Sequence, residues 1–320
     1  MFDESEQAMA VTALVKAIVT KSASEFGELG LKSQMESGLK ISQLHPCFGE
    51  AAHNKFGRLH LPVSPACNIQ CRFCNRAFNR EEVRPGVTAG ILPPERAVET
   101  VKKALELCPD ITVVGIAGPG DTLATDSAIR AFRAVHAAYP NLIKCLSTNG
   151  LMLPDRAEEL IEAGVRTVTV TVNAVDPDVL EKVVSHVIFE GRFLNGSKMR
   201  VLTKRQLEGI RKVSRLGAVV RVNTVLIPGI NDEHIEDIAR AVSAVGAHIY
   251  NIIPLIPQHE FAHVEPPDCD MLQRAKAAGA KYMEVFHHCK HCRADACGIP
   301  GISDFSEKLY GGTMETFSHG

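Results

Sequence analysis

No apolar run in the sequence approaches the roughly 18 residues that a membrane-spanning helix needs. The first ten residues, Met1 to Ala10, carry acidic side chains where an export signal would have a basic region. Together these absences predict a cytoplasmic protein. Charge of one sign is also missing: 35 Lys and Arg against 37 Asp and Glu leave a net charge of -2. Nothing electrostatic therefore favours nucleic acid or an anionic membrane as partner, and the substrate is expected to be small or carried by another protein. No repeat at solenoid spacing and no low-complexity tract is present. A chain of 320 residues with 45% apolar content suits one large catalytic domain with short extensions.

Cysteine, by contrast, is plentiful, with ten in the chain. A cytosolic setting keeps thiols reduced, so a disulfide framework is not expected and metal binding becomes the leading explanation. Their placement supports this. Cys67, Cys71 and Cys74 form one tight group and Cys289, Cys292 and Cys297 another, while Cys47, Cys108, Cys145 and Cys269 stand apart.

Residues 1–44 read as an N-terminal extension with one apolar helical stretch, Ala8 to Val19. From Arg58 onward, β-rich runs alternate with amphipathic ones. Strands are expected at Leu59–Val63, Ile111–Ala117, Leu142–Ser147, Thr167–Asn173, Val219–Leu226 and Ile249–Ile256. Helices are expected at Pro94–Leu107, Thr125–Ala138, Pro154–Ala163, Lys204–Leu216, Asp232–Val245 and Asp270–Ala280. Strict alternation implies an α/β fold with a parallel sheet, here a partial (β/α)6 barrel of the TIM type spanning 45–280, with active residues at the C-terminal strand ends. A Cys-rich tail, 281–320, closes the barrel. Residues His186 to Val201 interrupt the rhythm as a basic, Gly-containing insertion, either a lid or a surface loop.

The strongest signal is Cys67-Asn68-Ile69-Gln70-Cys71-Arg72-Phe73-Cys74, a CxxxCxxC directly after the first strand. Three thiolates on one loop can hold three irons of a [4Fe–4S] cluster and leave the fourth open for the amino and carboxylate groups of S-adenosylmethionine (SAM). A structural zinc site competes for these cysteines, although zinc sites prefer paired CxxC groups. The spacing and its place after a barrel strand resemble the radical SAM superfamily. At the next strand end, Gly115 to Asp121 resembles the superfamily's glycine-rich SAM-binding motif. Gly118 and Gly120 expose backbone polar groups there and Asp121 stands where an acidic Glu is usual; a tight βα connection is the alternative. Ser147, Thr148 and Asn149 after the third strand, Asn173 after the fourth, Asn223 on the fifth and Asn251 on the sixth can bind ribose hydroxyls and an adenine edge, or act as caps and turn formers.

Further ligand types lie outside that set: His45-Pro46-Cys47, His53, Cys145, and Cys289-Lys290-His291-Cys292 with Cys297 beyond. They suffice for additional clusters, with zinc again a competitor at the CxxC tail and a core role possible for any lone His or Cys.

A closer resemblance rests on many phrases in order: His45-Pro46-Cys47, Arg58 to Val63, Cys67 to Arg76, Arg84-Pro85-Gly86-Val87, Gly115 to Asp121, Cys145 to Leu151, Val172 to Val175, Gln206 to Ile210, Val225 to His234 and Cys292 to Ala296. From His45 to Gly298 the chain resembles the NifB family, which builds the core of the nitrogenase cofactor. The resemblance implies fusion of two [4Fe–4S] precursor clusters with a SAM-derived carbide and an added sulfide, giving an [8Fe–9S–C] cluster. One SAM would donate its methyl group and a second would be cleaved to the 5′-deoxyadenosyl radical. It implies that Cys67, Cys71 and Cys74 hold the SAM cluster, and that Cys47, His53, Cys145, Cys289 and Cys292, with Glu82 as a weaker candidate, bind the precursors. Implied partners are an iron–sulfur cluster donor protein, carrier and scaffold proteins of nitrogenase cofactor assembly, and an electron donor such as ferredoxin.

This chain departs from the family at Ala77 to Val83, where relatives usually have a further Cys and here there is no thiol. Cys297, Glu82 or an exogenous ligand is then the candidate replacement. The chain ends soon after the tail, so the small carrier domain fused to some relatives is expected to be absent and the product to pass to a separate protein. Two other readings compete: a radical SAM enzyme whose auxiliary clusters only carry electrons while it acts on an organic or peptide substrate, and a metal-storage or zinc-stabilised binding protein without catalysis.

Overall fold

A computed structural model describes residues 41–75, 88, 90–287 and 293–311. The chain enters through α1 (Glu50–His53), β1 (Gly57–His60) and β2 (Ile69–Cys71), then continues with α2 (Ala97–Leu107), β3 (Ile111–Ile116), α3 (Ser127–Ala138), β4 (Ile143–Thr148) and α4 (Leu153–Glu162). Next come β5 (Val165–Thr171), α5 (Pro177–Val183), a hairpin of β6 (Val184–Phe189) and β7 (Arg192–Leu194), α6 (Arg200–Arg215), β8 (Val219–Leu226) and α7 (Ile235–Ser243). It closes with β9 (Ile249–Pro254), α8 (Cys269–Ala280), β10 (Glu284–Val285), β11 (Cys297–Gly298) and α9 (Ser306–Tyr310).

The six strands expected from the sequence, β1, β3, β4, β5, β8 and β9, lie side by side in chain order and all run parallel. Short β10 extends the sheet in parallel beside β9, and β11 adds an antiparallel edge to β1. Among the described residues the two edges do not pair, so the sheet is a partial barrel. Helices bury one stripe against it: in α2 the covered residues are Ala97, Thr100, Val101 and Ala104, the spacing of one helical face. They meet the outward side chains Val114, Ile116, Leu146, Val168, Val220 and Tyr250 in the main core.

With a period of two, the alternate strand residues face the other side of the sheet, into the barrel. That side is polar: Cys145 on β4, Thr167 and Thr169 on β5, Arg221 and Asn223 on β8, and Asn251 on β9, of which all but Cys145 are buried. Where β8 and β9 begin, Ile41, Phe48, Val219, Ile249 and Phe286 form a small apolar plug. The segment carrying it is tied to the sheet by the Thr112 hydroxyl donating to the Leu44 carbonyl at 2.7 Å.

The insertion is neither lid nor irregular loop. Val184–Phe189 and Arg192–Leu194 form a hairpin that turns at Glu190-Gly191, and β6 pairs antiparallel with β2 to make a separate three-stranded sheet in the order β2-β6-β7. Its inner face, with Ile69, Phe73, Val184 and Val187, packs into a second apolar cluster shared with Leu180, Met199 and Leu255. The following helix accordingly starts at Arg200, a full turn before the Lys204 expected from periodicity. Among the described residues, no helix is long and apolar enough to cross a membrane.

Candidate functional site

The CxxxCxxC loop owes its shape to residues between and beyond its cysteines. The Gln70 amide donates to the carbonyls of Cys71 (2.9 Å) and Cys74 (2.8 Å), and Cys74 N–H donates to Cys71 O at 3.0 Å. The loop is fixed from outside by the hairpin, through Ile188 N–H to Asn68 O (2.8 Å), and by the end of α5, through Arg72 N–H to Val183 O (2.9 Å). Arg72 also pairs with Glu260 beyond β9. Cys67, Cys71 and Cys74 are partly exposed and rest on the second apolar cluster, so their sulfurs lie at its rim. Among the described residues no three His, Cys, Asp or Glu side chains converge on a single-ion site.

The glycine-rich turn after β3 lies against this loop, backbone to backbone. Gly120 N–H donates to Ser64 O at 2.5 Å and Asp121 N–H to Ala66 O at 2.7 Å. The Gly120 N–H, one of the backbone groups offered to a ligand by the sequence, is thus consumed in the junction. The contact excludes any side chain, because a Cβ on Gly120 would stand 2.0 Å from the Ala66 oxygen. Gly118 takes a φ of +118°, a conformation suited to glycine.

Asp121 is buried, and its carboxylate is engaged by the chain itself. It accepts from the Thr148 hydroxyl (2.9 Å), Asn149 N–H (2.6 Å) and Leu123 N–H (3.0 Å). Asn149 in turn donates from its amide to the Asn68 side-chain oxygen at 2.6 Å and accepts from Leu151 N–H at 2.9 Å. The ends of β3 and β4 and the cysteine loop are therefore one hydrogen-bonded unit. Ser147 contributes its carbonyl, which accepts from the Thr122 hydroxyl at 2.5 Å. The Gln206 amide, from α6, donates to Asn149 O (2.7 Å) and Thr171 O (2.9 Å), bracing the same rim.

Asn173 accepts from Val225 N–H at 2.9 Å through its side chain, which ties β5 to β8. Asn223 and Asn251 are register partners, and the Asn251 amide donates to the Asn223 oxygen at 3.0 Å. Among the described residues the buried Asn251 side-chain oxygen finds no hydrogen-bond partner, nor do the hydroxyls of Ser64 and Thr169. Buried polar atoms left unpaired cost about 1–3 kcal/mol each and point to a polar occupant. A nucleoside with an ammonium and hydroxyl groups supplies the donors and acceptors these atoms lack.

The ligand candidates ahead of the barrel sit at its opposite end. Cys47 and Cys145 both pack on the apolar plug, and His53 sets its ring edge-on to Phe286 of that plug at 6.0 Å. His53 Nδ1 donates to the Pro46 carbonyl at 2.7 Å, the outer hydrogen bond that orients a ligating imidazole and puts its lone pair on Nε2. His45 has the other tautomer: its Nδ1 accepts from Cys47 N–H at 3.1 Å. Burial holds its pKa well below the ordinary value, helped by the positive charges of Arg221 and Arg58, so it stays neutral. Arg221 donates to Cys47 O at 2.7 Å and lies over the Phe48 ring. This end of the interior is accordingly cationic, which suits an anionic cluster.

His60 was not among the candidates from the sequence. Its Nδ1 bonds the Arg293 carbonyl at 2.9 Å and its ring fills the space left by Gly115, whose Cβ would meet it at 2.8 Å. The signal was present in the spacing, since His60 and Gly115 are paired across β1 and β3, but only the register reveals it.

The tail is stitched to β1. Arg58 pairs with Gly298 and Leu59 with Cys297, His60 N–H donates to Ala296 O at 2.7 Å, and Tyr310 OH donates to His60 O at 2.6 Å. Arg293 grips the fully buried Asp295 with two bonds of 2.8 Å. Cys297 does not serve as a replacement ligand: it sits in the main core beside Leu59, on the helix side of the sheet, and burial together with the nearby Cys108 and Asp304 pushes its thiol up to about 12. Glu82, Cys289 and Cys292 lie outside the described residues.

The Radical SAM superfamily model matches residues 61–242. The chain is 44% identical over 271 residues to the "FeMo cofactor biosynthesis protein NifB" of Methanocaldococcus infernus, covering 83% of this chain and 89% of that protein. To the protein of the same name from Klebsiella pneumoniae it is 42% identical over 266 residues, 80% of this chain but 57% of that longer one. Among solved structures, Streptococcus suis SuiB superposes with a TM-score of 0.56 at 15% identity, covering 80% of this chain and 54% of its own. A radical SAM methyltransferase from Sphaerobacter thermophilus gives 0.54 at 22%, covering 76% and 69%. At such identities the two structures attest the fold alone.

Proposed function

The chain belongs to the radical SAM superfamily and, within it, to the NifB family, and from that premise we propose that it assembles the nitrogenase cofactor precursor by fusing two [4Fe–4S] clusters with a SAM-derived carbide and an added sulfide. A [4Fe–4S] cluster and SAM are the cofactors of the superfamily; when bound, they supply methyl transfer and reductive cleavage of the sulfonium bond.

The chain's own residues fit these tasks. Cys67, Cys71 and Cys74 are the thiols for the cluster, on a loop whose backbone is clipped by Gln70 and pinned by the hairpin. Asp121 acts by positioning: it holds the ends of β3 and β4 so that Asn149 can reach Asn68 between the first two cysteines. The unpaired oxygens of Ser64, Thr169 and Asn251 provide polar contacts for SAM. The observation that carries the reading is the second set of ligand types at the other end of the same interior, Cys47, His53 and Cys145 around the plug, beside Arg221. Thiols and an oriented imidazole there suit iron–sulfur clusters, and consumption of those clusters in turnover is what separates substrates from auxiliary clusters that only carry electrons. Cys289 and Cys292 complete the proposed substrate ligands. The expected partners are a cluster donor, carrier or scaffold proteins for the product, and a one-electron donor.

Anaerobic iron and sulfide quantitation on the parent, on Cys47→Ala with Cys145→Ala, and on Cys289→Ala with Cys292→Ala tests this. Each double variant is expected to lose about one cluster's worth of iron and all product, while SAM binding survives because its thiols are on a separate loop. Acid quenching then separates the roles, since released methanethiol marks the variant in which the methyl-accepting cluster remains. A double variant that still yields a carbide-containing cluster able to activate cofactor-deficient nitrogenase would overturn the proposal.

A further inference from the structure

The β6–β7 hairpin does more than brace the cluster loop, since its outer face is both apolar and basic. His186, Ile188 and Phe193 share that face: Ile188 and Phe193 are directly opposed in register, and the Phe193 ring stacks on His186 at 4.5 Å. Phe193 is 62% exposed and Ile188 38%, two of the few large apolar side chains in the described chain that stand out into solvent. The sequence from Glu181 to Arg205 carries six basic and two acidic residues, and with Lys204 and Arg205 paired to Glu208 and Asp155, four cations stand against Glu181 and Glu190. Lys182, Arg192, Lys198 and Arg200 are exposed and enter no ion pair among the described residues. An exposed aromatic and aliphatic pair inside a basic rim is the composition of a protein-binding patch.

The position of the patch says what such a partner would do. The amide of Ile188, whose side chain is in the patch, donates to Asn68 O inside the CxxxCxxC loop, and Cys71 is paired with Val184 on the same strand. A protein seated on Ile188 and Phe193 is therefore one hydrogen bond from the loop that holds the cluster. Resting on the radical SAM reading above, we propose that the outer face of the hairpin is the docking site for a small acidic one-electron carrier protein, which reduces the cluster through β6 and β2. The basic rim supplies the charge complementarity that steers such transient encounters, and Phe193 with Ile188 supplies the dry centre. The step moves one electron from the reduced carrier to the oxidised cluster; the carrier is left oxidised and no bond is made or broken.

The test uses the full chain, anaerobically reconstituted, with a purified acidic [4Fe–4S] ferredoxin as the probe. Two variants are compared with the parent, Phe193→Asp and the pair Arg192→Gln with Arg200→Gln, whose side chains take no part in holding the loop. The ferredoxin Kd, measured calorimetrically without SAM, is expected to rise about tenfold or more in each, with a weaker salt dependence in the Arg pair. The ferredoxin concentration giving half-maximal 5′-deoxyadenosine formation should rise in parallel, while cleavage driven by dithionite stays at the parental rate. An unchanged Kd in both variants overturns the docking site even if dithionite supports cleavage. Failure of dithionite to drive cleavage in the parent overturns the radical SAM reading instead, and the calorimetry still decides the surface. If Phe193→Asp converts a dimer to monomers and leaves ferredoxin binding intact, the face belongs to a second copy of the chain and the proposal fails.

Discussion

Gly120→Ala is the smallest change that separates the cysteine loop from the turn beside it. The added methyl would stand 2.0 Å from the Ala66 oxygen, 2.5 Å from the Ala66 carbonyl carbon and 2.7 Å from the Ser64 oxygen. All three obstacles are backbone, so no rotamer relieves them and the two loops must part by about 1 Å. That movement breaks Gly120 N–H to Ser64 O and Asp121 N–H to Ala66 O, bonds of 2.5 and 2.7 Å at the moment. Leaving buried peptide groups unpaired costs about 1–3 kcal/mol each, so a loss of about 2–6 kcal/mol is expected. In a domain of this size each kcal/mol lowers the melting temperature by about 2–4 °C, giving a drop of the order of 10 °C. Because the parted loops carry Cys67 and Asp121, 5′-deoxyadenosine formation should fall together with stability. Thermal melts and SAM cleavage assays on anaerobic protein measure both. Gly90→Ala is the control, as its Cβ would meet nothing within 4 Å. If Gly120→Ala melts within 2 °C of the control, an allowance set at about the effect of 0.5–1 kcal/mol, and cleaves SAM normally, the junction is not what aligns the loops.

Asp121→Ala should cost about 2–4 kcal/mol, since the Thr148 hydroxyl and the Asn149 and Leu123 amides lose their acceptor, and SAM affinity should fall with it; a loss of affinity at unchanged melting temperature would instead make the carboxylate a direct contact. Lys144 is fully buried, with its ammonium donating to Tyr139 O (2.7 Å) and Pro140 O (3.1 Å), and burial, then Arg166, brings its pKa down to about 8. The unfolded chain, with a Lys pKa of about 10.4, binds the extra proton between these values, so stability should rise with pH across that window; Lys144→Met should abolish this increment in melts at matched pH. Cys297→Ala should leave iron content and product formation intact and cost about 1 kcal/mol of packing, whereas lost iron would return Cys297 to the ligand set.

The six strands and their helices were legible because each pairs with the next in chain order and buries a regular stripe. The hairpin was not, since β6 finds its partner more than a hundred residues earlier, in a three-residue strand inside a cysteine motif. The cysteine loop itself was plain from its spacing. The hydrogen bonds of Asp121 were hidden for the same reason as the hairpin, since only the fold brings Thr148 and Asn149 to its oxygens. Cys297 illustrates the reverse error. It belongs by sequence to the tail group, yet on β11 it alternates to the helix side of the sheet and joins the core. His60 escaped notice because an isolated histidine carries no weight until Gly115 is seen to make room for its ring.

The unpaired edges of the sheet have a mechanical consequence. The chain leaves one edge at β10, Glu284–Val285, and returns at the opposite edge as β11, Cys297–Gly298. Only eleven residues of sequence, 286–296, separate these two margins, and Cys289 and Cys292 fall within them. Under the proposed function, a cluster held by those thiols would bind the short sequence that joins both margins. Loading and unloading would then tighten and slacken the whole cylinder, which native-state hydrogen exchange along β1 and β9 would register as a change in hoop tension far from the thiols themselves.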